Sequence, residues 1–122
     1  MNFNFDNNQP IYIQLLEQLK LYIISGRLKP GERLPSVREL ALISKVNPNT
    51  IQKALSQLEE LNLIYTERTN GKFITTNVDS INSCRKEYAK EISLSYIENM
   101  QKLGYDKTTT ISYLTDMLNN EN

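Results

Sequence analysis

Between Ser36 and Leu61 two helical patterns are separated by only three or four residues, and this short break constrains the 122-residue chain more than any other feature. Ser36 followed by Glu39 matches a capping box, so the pattern predicts a helix from Val37 to about Lys45, with Leu40, Ala41 and Ile43 available for burial. The break Val46-Asn47-Pro48-Asn49 follows. The next helix is predicted from about Asn49 to Leu61, where Ile51, Ala54, Leu55, Leu58 and Leu61 recur at i, i+3, i+4, i+7 and i+10 in one apolar stripe. Asn49, Gln52, Lys53, Ser56 and Glu60 fall on the opposite side. One face packs while the other is free to meet a partner, which is what a helix-turn-helix needs.

The flanking segments extend this unit. Pro10 suits the first turn of a helix running to about Ser25, Ile11, Leu15, Leu19, Tyr22 and Ile23 share a face, and Gly26 supplies the stop. Arg27 to Leu34 reads as a connector with a turn at Pro30-Gly31. After Asn62 the period becomes extended: Leu63-Ile64-Tyr65-Thr66 and Lys72-Phe73-Ile74-Thr75 are rich in β-branched and aromatic residues, and Asn70-Gly71 between them is a hairpin signal. A hairpin directly after a helix-turn-helix is a wing.

Asn77 to Ser80 reads as a polar hinge, with Asp79 or Ser80 as helix cap. From there to Leu103 a long helical pattern carries Ile81, Cys84, Tyr88, Ile92, Tyr96 and Leu103 near one face, with Gly104 past its end. A last helix is expected from Thr108 to Leu118, carrying Ile111, Leu114 and Leu118, with Asn119 to Asn122 fraying. The fold class expected is mainly α with a small β-hairpin: a winged helix-turn-helix domain over residues 1–78, then a two-helix C-terminal dimerisation element over residues 79–122. Two helices totalling about 35 residues cannot enclose a core of their own. Folding back on the winged domain would blunt the exposed face of the third helix. The same tail from a second chain is the favoured partner, since two-fold dimers are the commonest symmetric assembly. That reading assigns Ile81, Tyr88, Ile92, Tyr96, Ile111, Leu114 and Leu118 to dimerisation.

The 14 basic and 14 acidic side chains cancel, which at first argues against a nucleic-acid partner. The sum hides a distribution. Arg27, Lys29, Arg33, Arg38, Lys45 and Lys53 face only Glu32 and Glu39 in their window, a net +4, while the tail beyond residue 78 is net −2. A solvated charged surface is the plain reading of such a window. The chain has no histidine, so the commonest general base and zinc ligand are absent. Ser36, Ser44 and Ser56 therefore lack a histidine partner, and Cys84, the only thiol, permits neither an intrachain disulfide nor a thiolate metal site. No Gly-rich phosphate loop occurs. An enzyme is not expected, nor any metal or cofactor. No basic-then-apolar leader and no run of 18 apolar residues occurs, so a cytoplasmic protein with no membrane partner is expected.

Asn49, Thr50, Gln52 and Lys53 stand at the N-terminal end of the third helix, the end that enters the major groove in this kind of docking. Asparagine and glutamine can bond adenine in bidentate fashion, lysine can bond guanine, and a threonine methyl can touch that of thymine. Glu59 and Glu60 lie at the far end, where repulsion from phosphate is least. Arg33 and Arg38 flank the capped N-terminus of the second helix, a ready-made phosphate site. They could equally pair with Glu32 or Glu39 in exposed ion pairs worth ~0 to 1 kcal/mol. Arg68 and Lys72 bracket the hairpin tip, where a wing reaches the minor groove or backbone.

Leu34-Pro35-Ser36-Val37-Arg38-Glu39-Leu40-Ala41, then Val46 to Leu55, then Leu58-Glu59, Leu63 to Thr66 and Gly71-Lys72-Phe73-Ile74, closely resemble the GntR family of bacterial transcription regulators. Pro10-Ile11-Tyr12 with Gln14, and Gly26 to Arg33, are similar too, so the resemblance spans residues 9 to about 75. The short tail resembles that of the YtrA-type subfamily in length and pattern. The resemblance implies a winged helix-turn-helix that binds a palindromic double-stranded DNA operator as a homodimer, usually to repress. Arg38 corresponds to the family's DNA-contacting arginine, Asn49, Thr50, Gln52 and Lys53 to its recognition-helix contacts, and Arg68 to Lys72 to its wing. The full expected DNA-binding set is Arg33, Ser36, Arg38, Asn47, Asn49, Thr50, Gln52, Lys53, Arg68, Asn70, Gly71 and Lys72. Two positions depart from the family: Thr69 stands where glycine is usual in the wing, and Pro48 where some longer relatives use a basic residue. The competing reading is a winged-helix protein-protein interaction module without sequence-specific DNA binding. A small-molecule effector would need the dimer interface or the hinge near Asp79, where Tyr88, Tyr96, Tyr105 and Tyr113 could line a site, although aromatics at helical spacing are more often dimer core.

Overall fold

The computed structural model describes residues 1–120. It contains α1 (Ile11–Ile24), α2 (Val37–Ser44), α3 (Pro48–Glu60), β1 (Ile64–Glu67), β2 (Gly71–Ile74), α4 (Val78–Lys102) and α5 (Lys107–Asn119). The chain divides into two compact units, residues 1–85 and residues 86 onward, with α4 continuous across the division.

The winged unit is built around α3, which packs against both α1 and α2. Leu15, Leu19, Ile23, Leu40, Ile51, Leu55, Leu58, Leu63 and Ile74 are fully enclosed and form its core. In α1 the buried stripe is rotated from the expected one: Leu16 and Ile24 are inside, while Ile11 is exposed and Tyr22 only half-buried. The capping box of α2 forms as expected, with the Ser36 hydroxyl accepting from the Glu39 N–H and the Glu39 carboxylate from the Ser36 N–H, each at 3.1 Å. Lys45 ends α2 in the left-handed region. This short helix can bury only one narrow face, and Leu40 and Ser44 occupy it. Ile43, expected inside, is exposed instead, beside the still more exposed Leu42. α3 starts one residue earlier than expected: Pro48 takes the first helical position and Asn47 caps it, while Leu61 ends the helix half exposed.

β1 and β2 pair antiparallel from Ile64 opposite Ile74 to Glu67 opposite Gly71, leaving Arg68-Thr69-Asn70 as a three-residue tip. The expected connector is also part of the sheet. Gly31 N–H donates to Ile74 O, Ile74 N–H to Glu32 O and Leu34 N–H to Lys72 O, so the stretch before α2 covers the free edge of β2.

The first residues are held by polar side chains of α1. Gln14, Gln18 and Tyr22 recur every four residues along α1 and present one polar row. Against this row the N-terminal strap lies extended. Asn2 N–H donates to the Tyr22 hydroxyl, which donates back to Asn2 O; Asn4 exchanges the same pair of bonds with the Gln18 amide, and Asp6 with that of Gln14. Phe3 and Phe5 stack at 6.3 Å, and Phe3 lies against Tyr22.

α4 begins at Val78, inside the expected hinge, and the Asn77 side chain accepts from Asp79 N–H at 3.1 Å. Asn77, not Asp79 or Ser80, therefore caps this helix. Its first turns belong to the winged unit, where Ile81 is buried. In the second unit, Gly104 turns the chain with φ of 93° and Asp106 caps α5 through the Thr109 N–H. The Tyr96 hydroxyl donates to Thr110 O, and Met100 and Thr110 are buried. Asn119 closes α5; the rest of the tail expected to fray includes Glu121 and Asn122, which lie outside the described residues.

Two expectations follow. Gln18→Ala removes both bonds to Asn4 and is expected to cost about 1 kcal/mol, with faster amide exchange at Asn4, read by thermal unfolding and hydrogen exchange. Bonds from the Ser36 backbone, then its side chain, with Arg33 adding a weaker pull, hold the Glu39 carboxyl below its ordinary value of 4.5. Glu39 is charged in its stabilised form, so its contribution is complete above the ordinary value and disappears as pH falls through the lowered one. Glu39→Gln is expected to flatten the acid limb of the stability profile measured by urea titration between pH 3 and 5.

Candidate nucleic-acid interface

With Ile51, Ala54, Leu55 and Leu58 turned into the core, the outer face of α3 carries exposed Asn49, Gln52, Lys53 and Ser56, with Thr50 half-buried beside them. The backbone at this helix start is already satisfied. Pro48 has no N–H, Asn49 N–H donates to Asn47 Oδ1 at 2.8 Å, and Thr50 and Ile51 donate to Asn47 O. Asn47 is thus a structural cap, and contact by α3 falls to side chains. α2 differs: the N–H groups of Val37 and Arg38 have no partner among the described residues, and the Arg38 side chain is exposed beside them. Two free amides, a helix dipole and a guanidinium make this end fit an anion. The Ser36 side chain is engaged by the cap on both counts, its oxygen accepting from the Glu39 N–H and its hydroxyl bonding the Glu39 carboxyl.

The wing is tied to the same surface. Gly71 has φ of 102°, and a Cβ there would lie 3.3 Å from Arg33 Nε, so the missing side chain both permits the turn and makes room for the guanidinium. Arg33 and the wing are therefore neighbours, although the sequence separates them widely. Arg68 is exposed at the tip. Asn70 donates from its side-chain amide to Glu67 at 3.1 Å. Lys72 departs from the expected role at the hairpin tip: its Nζ bonds the Thr66 hydroxyl at 2.8 Å and lies 3.8 Å from Glu59, and Thr66 in turn bonds Glu59. It neutralises an acid at the base of the wing, and the tip's cation is Arg68. Lys53 stands with Nζ 3.7 Å from the centre of the Tyr12 ring, which holds its long side chain in one orientation. Tyr12, Thr66 and Glu59 were not among the expected site residues. The Tyr12–Lys53 contact joins positions far apart in the chain, beyond the reach of local pattern, whereas Thr66 stands directly across the hairpin from Lys72.

In the second unit Ile92, Ile111, Leu114 and Leu118 are exposed, while Tyr88 and Tyr96 are half-buried. Ile81, expected at a dimer contact, is only 3% exposed and already used in packing the winged unit. The segment around Asp79 is helical, so the hinge expected there as an effector site is absent. Tyr105 and Tyr113 contact each other at 6.0 Å. Among the described residues no cluster could hold a metal ion, and no helix is long and apolar enough to cross a membrane.

A capped helix pair, a bare outer face on the second of the pair and a basic hairpin beside it define a winged helix-turn-helix DNA-binding domain. Residues 11–74 match the family model described as bacterial regulatory proteins, gntR family, and the chain belongs to the GntR family. It is 36% identical over 107 residues to the uncharacterized HTH-type transcriptional regulator YhcF of Bacillus subtilis, covering 88% of both chains. It is 46% identical over 71 residues to the HTH-type transcriptional repressor YtrA of the same organism, covering 58% of this chain and 55% of that one, a similarity that supports its place in the YtrA-type subfamily. A GntR family transcriptional regulator from Listeria monocytogenes shares the fold with a TM-score of 0.85 and 38% identity, over 92% of this chain and 98% of the other. The AraR DNA-binding domain, solved in complex with operator ORX1, matches 62% of this chain and 99% of its own with a TM-score of 0.56 and 26% identity. The family is one of transcription regulators, so the chain is a regulator and not an enzyme.

Gly71→Ala is expected to destabilise the winged unit by about 1–2 kcal/mol, the cost of a left-handed backbone with a Cβ, measured as a lower urea midpoint at unchanged slope.

Proposed function

We propose that this protein is a cytoplasmic repressor that binds a palindromic operator as a homodimer. The observation that carries the reading is the division of α3 into a wholly buried apolar stripe and an exposed face of Asn49, Gln52, Lys53 and Ser56. In this reading Asn49 and Gln52 read base edges, Lys53 follows with an orientation set by Tyr12, and Thr50 offers its methyl. Arg38 and the free amides of α2 take a phosphate, Ser36 caps that helix and holds its amides in place, Arg33 and Arg68 reach the backbone or minor groove along the wing, and Asn70 and Gly71 shape the tip. Asn47 and Lys72 act indirectly, as the α3 cap and as the counter-charge to Glu59.

Dimerisation is supported by the second unit, where α5 buries only Thr110 and leaves Ile111, Leu114, Met117 and Leu118 exposed. These residues, with Ile92 and the half-buried Tyr88 and Tyr96, form the surface for a second copy. Two linked half-site binders on an inverted repeat gain affinity through high effective concentration. Repression follows from occupying a promoter, and the name of the YtrA relative supports it.

Selection from a random duplex library tests this directly. The expected product is an inverted repeat, bound by a dimer, with a salt slope of about −7 for ~8 phosphate contacts. A flat salt response, or no enrichment of any sequence, would leave the protein-interaction reading in its place. On the selected site Arg38→Ala is expected to cost ~1 to 3 kcal/mol of binding. Ile111→Asp is expected to yield a folded monomer by sedimentation with much weaker binding, and an unchanged dimer would count against the assigned surface.

A further inference from the structure

Tyr12 stands in the first turn of α1 and Lys53 in the second turn of α3, and these two helices pack together inside the winged unit. The seat of the tyrosine is firm. Leu15, Leu16 and Leu19 of the same helix are buried, and Gln14 Nε2 donates to Gln9 O at 2.7 Å and to Asp6 O at 2.9 Å, which ties down the chain entering α1. Lys53 is exposed, and its ammonium lies 3.7 Å from the centre of the Tyr12 ring. Among the described residues Lys53 enters no ion pair: the two that form join Lys20 to Glu17 and Lys72 to Glu59. Its charge is thus held by a ring and not cancelled by a carboxylate. The ring attracts the cation through its face, so the ammonium donors turned away from it stay available to a partner.

We propose that Tyr12 is a positioning residue for base selection, holding the Lys53 ammonium where it specifies a guanine in the half-site. The inference rests on the reading that the outer face of α3 meets DNA, and adds which base one position on that face selects. Lys53 follows Asn49 by four residues, so the two share one exposed row of α3, turned away from the buried stripe. An unrestrained lysine is a point charge on a flexible stem and meets any phosphate within reach. Held at one place, its donors suit a base edge that offers acceptors side by side. In the major groove guanine offers O6 and N7 in that way; adenine sets a donor beside its acceptor, cytosine presents a donor, and thymine a methyl group beside its acceptor. Tyr12 touches no base in this account. Its effect appears as selectivity at one base pair, and an exposed cation–π contact sets its size at ~2- to 5-fold.

The test uses the full-length chain and the duplex obtained by selection, with each guanine of the half-site replaced in turn by a deazaguanine that lacks the N7 acceptor. Wild type is expected to lose ~5-fold or more in affinity at one such guanine, and Lys53→Met to be indifferent to the replacement there, which assigns that guanine to Lys53. Tyr12→Leu is expected to discriminate at the same position ~2- to 5-fold less than wild type, while binding the replaced duplex as wild type does. Tyr12→Phe, which keeps the ring, is expected to restore the discrimination. In the protein without DNA, the ring current is expected to shift the Lys53 side-chain methylene resonances upfield in wild type and Tyr12→Phe, and not in Tyr12→Leu. A Tyr12→Leu protein that discriminates like wild type, or that binds every duplex more weakly by one common factor, would overturn this inference alone. So would a sequence-selective wild type in which no guanine depends on Lys53. A wild type with no preference for any sequence would overturn the DNA reading and this inference with it. If Tyr12→Leu is unfolded by circular dichroism, Tyr12→Met decides between the same outcomes.

Discussion

Ile51, Ala54, Leu55 and Leu58 leave at most 1% of their surface to water, and with that stripe committed to α1 and α2 the opposite face of α3 can only turn outward. Fully burying one such side chain contributes about 1.5–3 kcal/mol, so a change in the rotation of α3 would forfeit a large share of the stability of a small domain. The rest of the winged unit depends on this orientation. α2 is placed by its contact with α3, β1 leaves from the end of α3, and β2 is held between β1 and the Gly31 to Leu34 edge. Every side chain with an assigned role in DNA contact is mounted on an element whose position is fixed by that packing.

Polar groups then separate what supports the site from what is offered by it. At α3 the N-terminal amides are consumed by Pro48 and the Asn47 cap, leaving the helix to present side chains; at α2 two amides stay free beside Arg38. One helix is suited to reading bases and the other to gripping phosphate. The charges sort in the same way. Lys72 is drawn to Thr66 and Glu59, cancelling an acid near the wing, while Arg33, Arg38 and Arg68 remain exposed. The zero net charge of the chain is the sum of a basic strip and an acidic tail, and says little about either surface.

Much of this was legible in the sequence because it is local. The Ser36–Glu39 box, the i, i+3, i+4 stripe of α3 and the hairpin signal at Asn70-Gly71 are short-range patterns, and the structure contains the box, the stripe and a hairpin whose tip is Arg68-Thr69-Asn70. What escaped was long-range or disguised. Ile43 belonged to an apolar pattern, but a helix as short as α2 had room inside for Leu40 and Ser44 alone. Tyr22 read as part of the apolar face of α1, yet with Gln14 and Gln18 it forms the polar row that seats the N-terminal strap. Asn77 to Ser80 read as a hinge because its residues are polar, yet Asn77 caps a helix that starts one residue later. Ile81 carried the right period for a dimer stripe and is spent on packing within the chain.

The central claim is that the outer face of α3, with the α2 N-terminus and the wing, is where DNA lies. Amide chemical-shift mapping of the protein titrated with its selected duplex tests that claim residue by residue. The account predicts the largest changes at Val37 and Arg38, at Asn49 to Lys53 and at Arg68 to Gly71, with the N-terminal strap on α1 unmoved. Changes concentrated on the strap or on Leu42 and Ile43, with α3 silent, would contradict it.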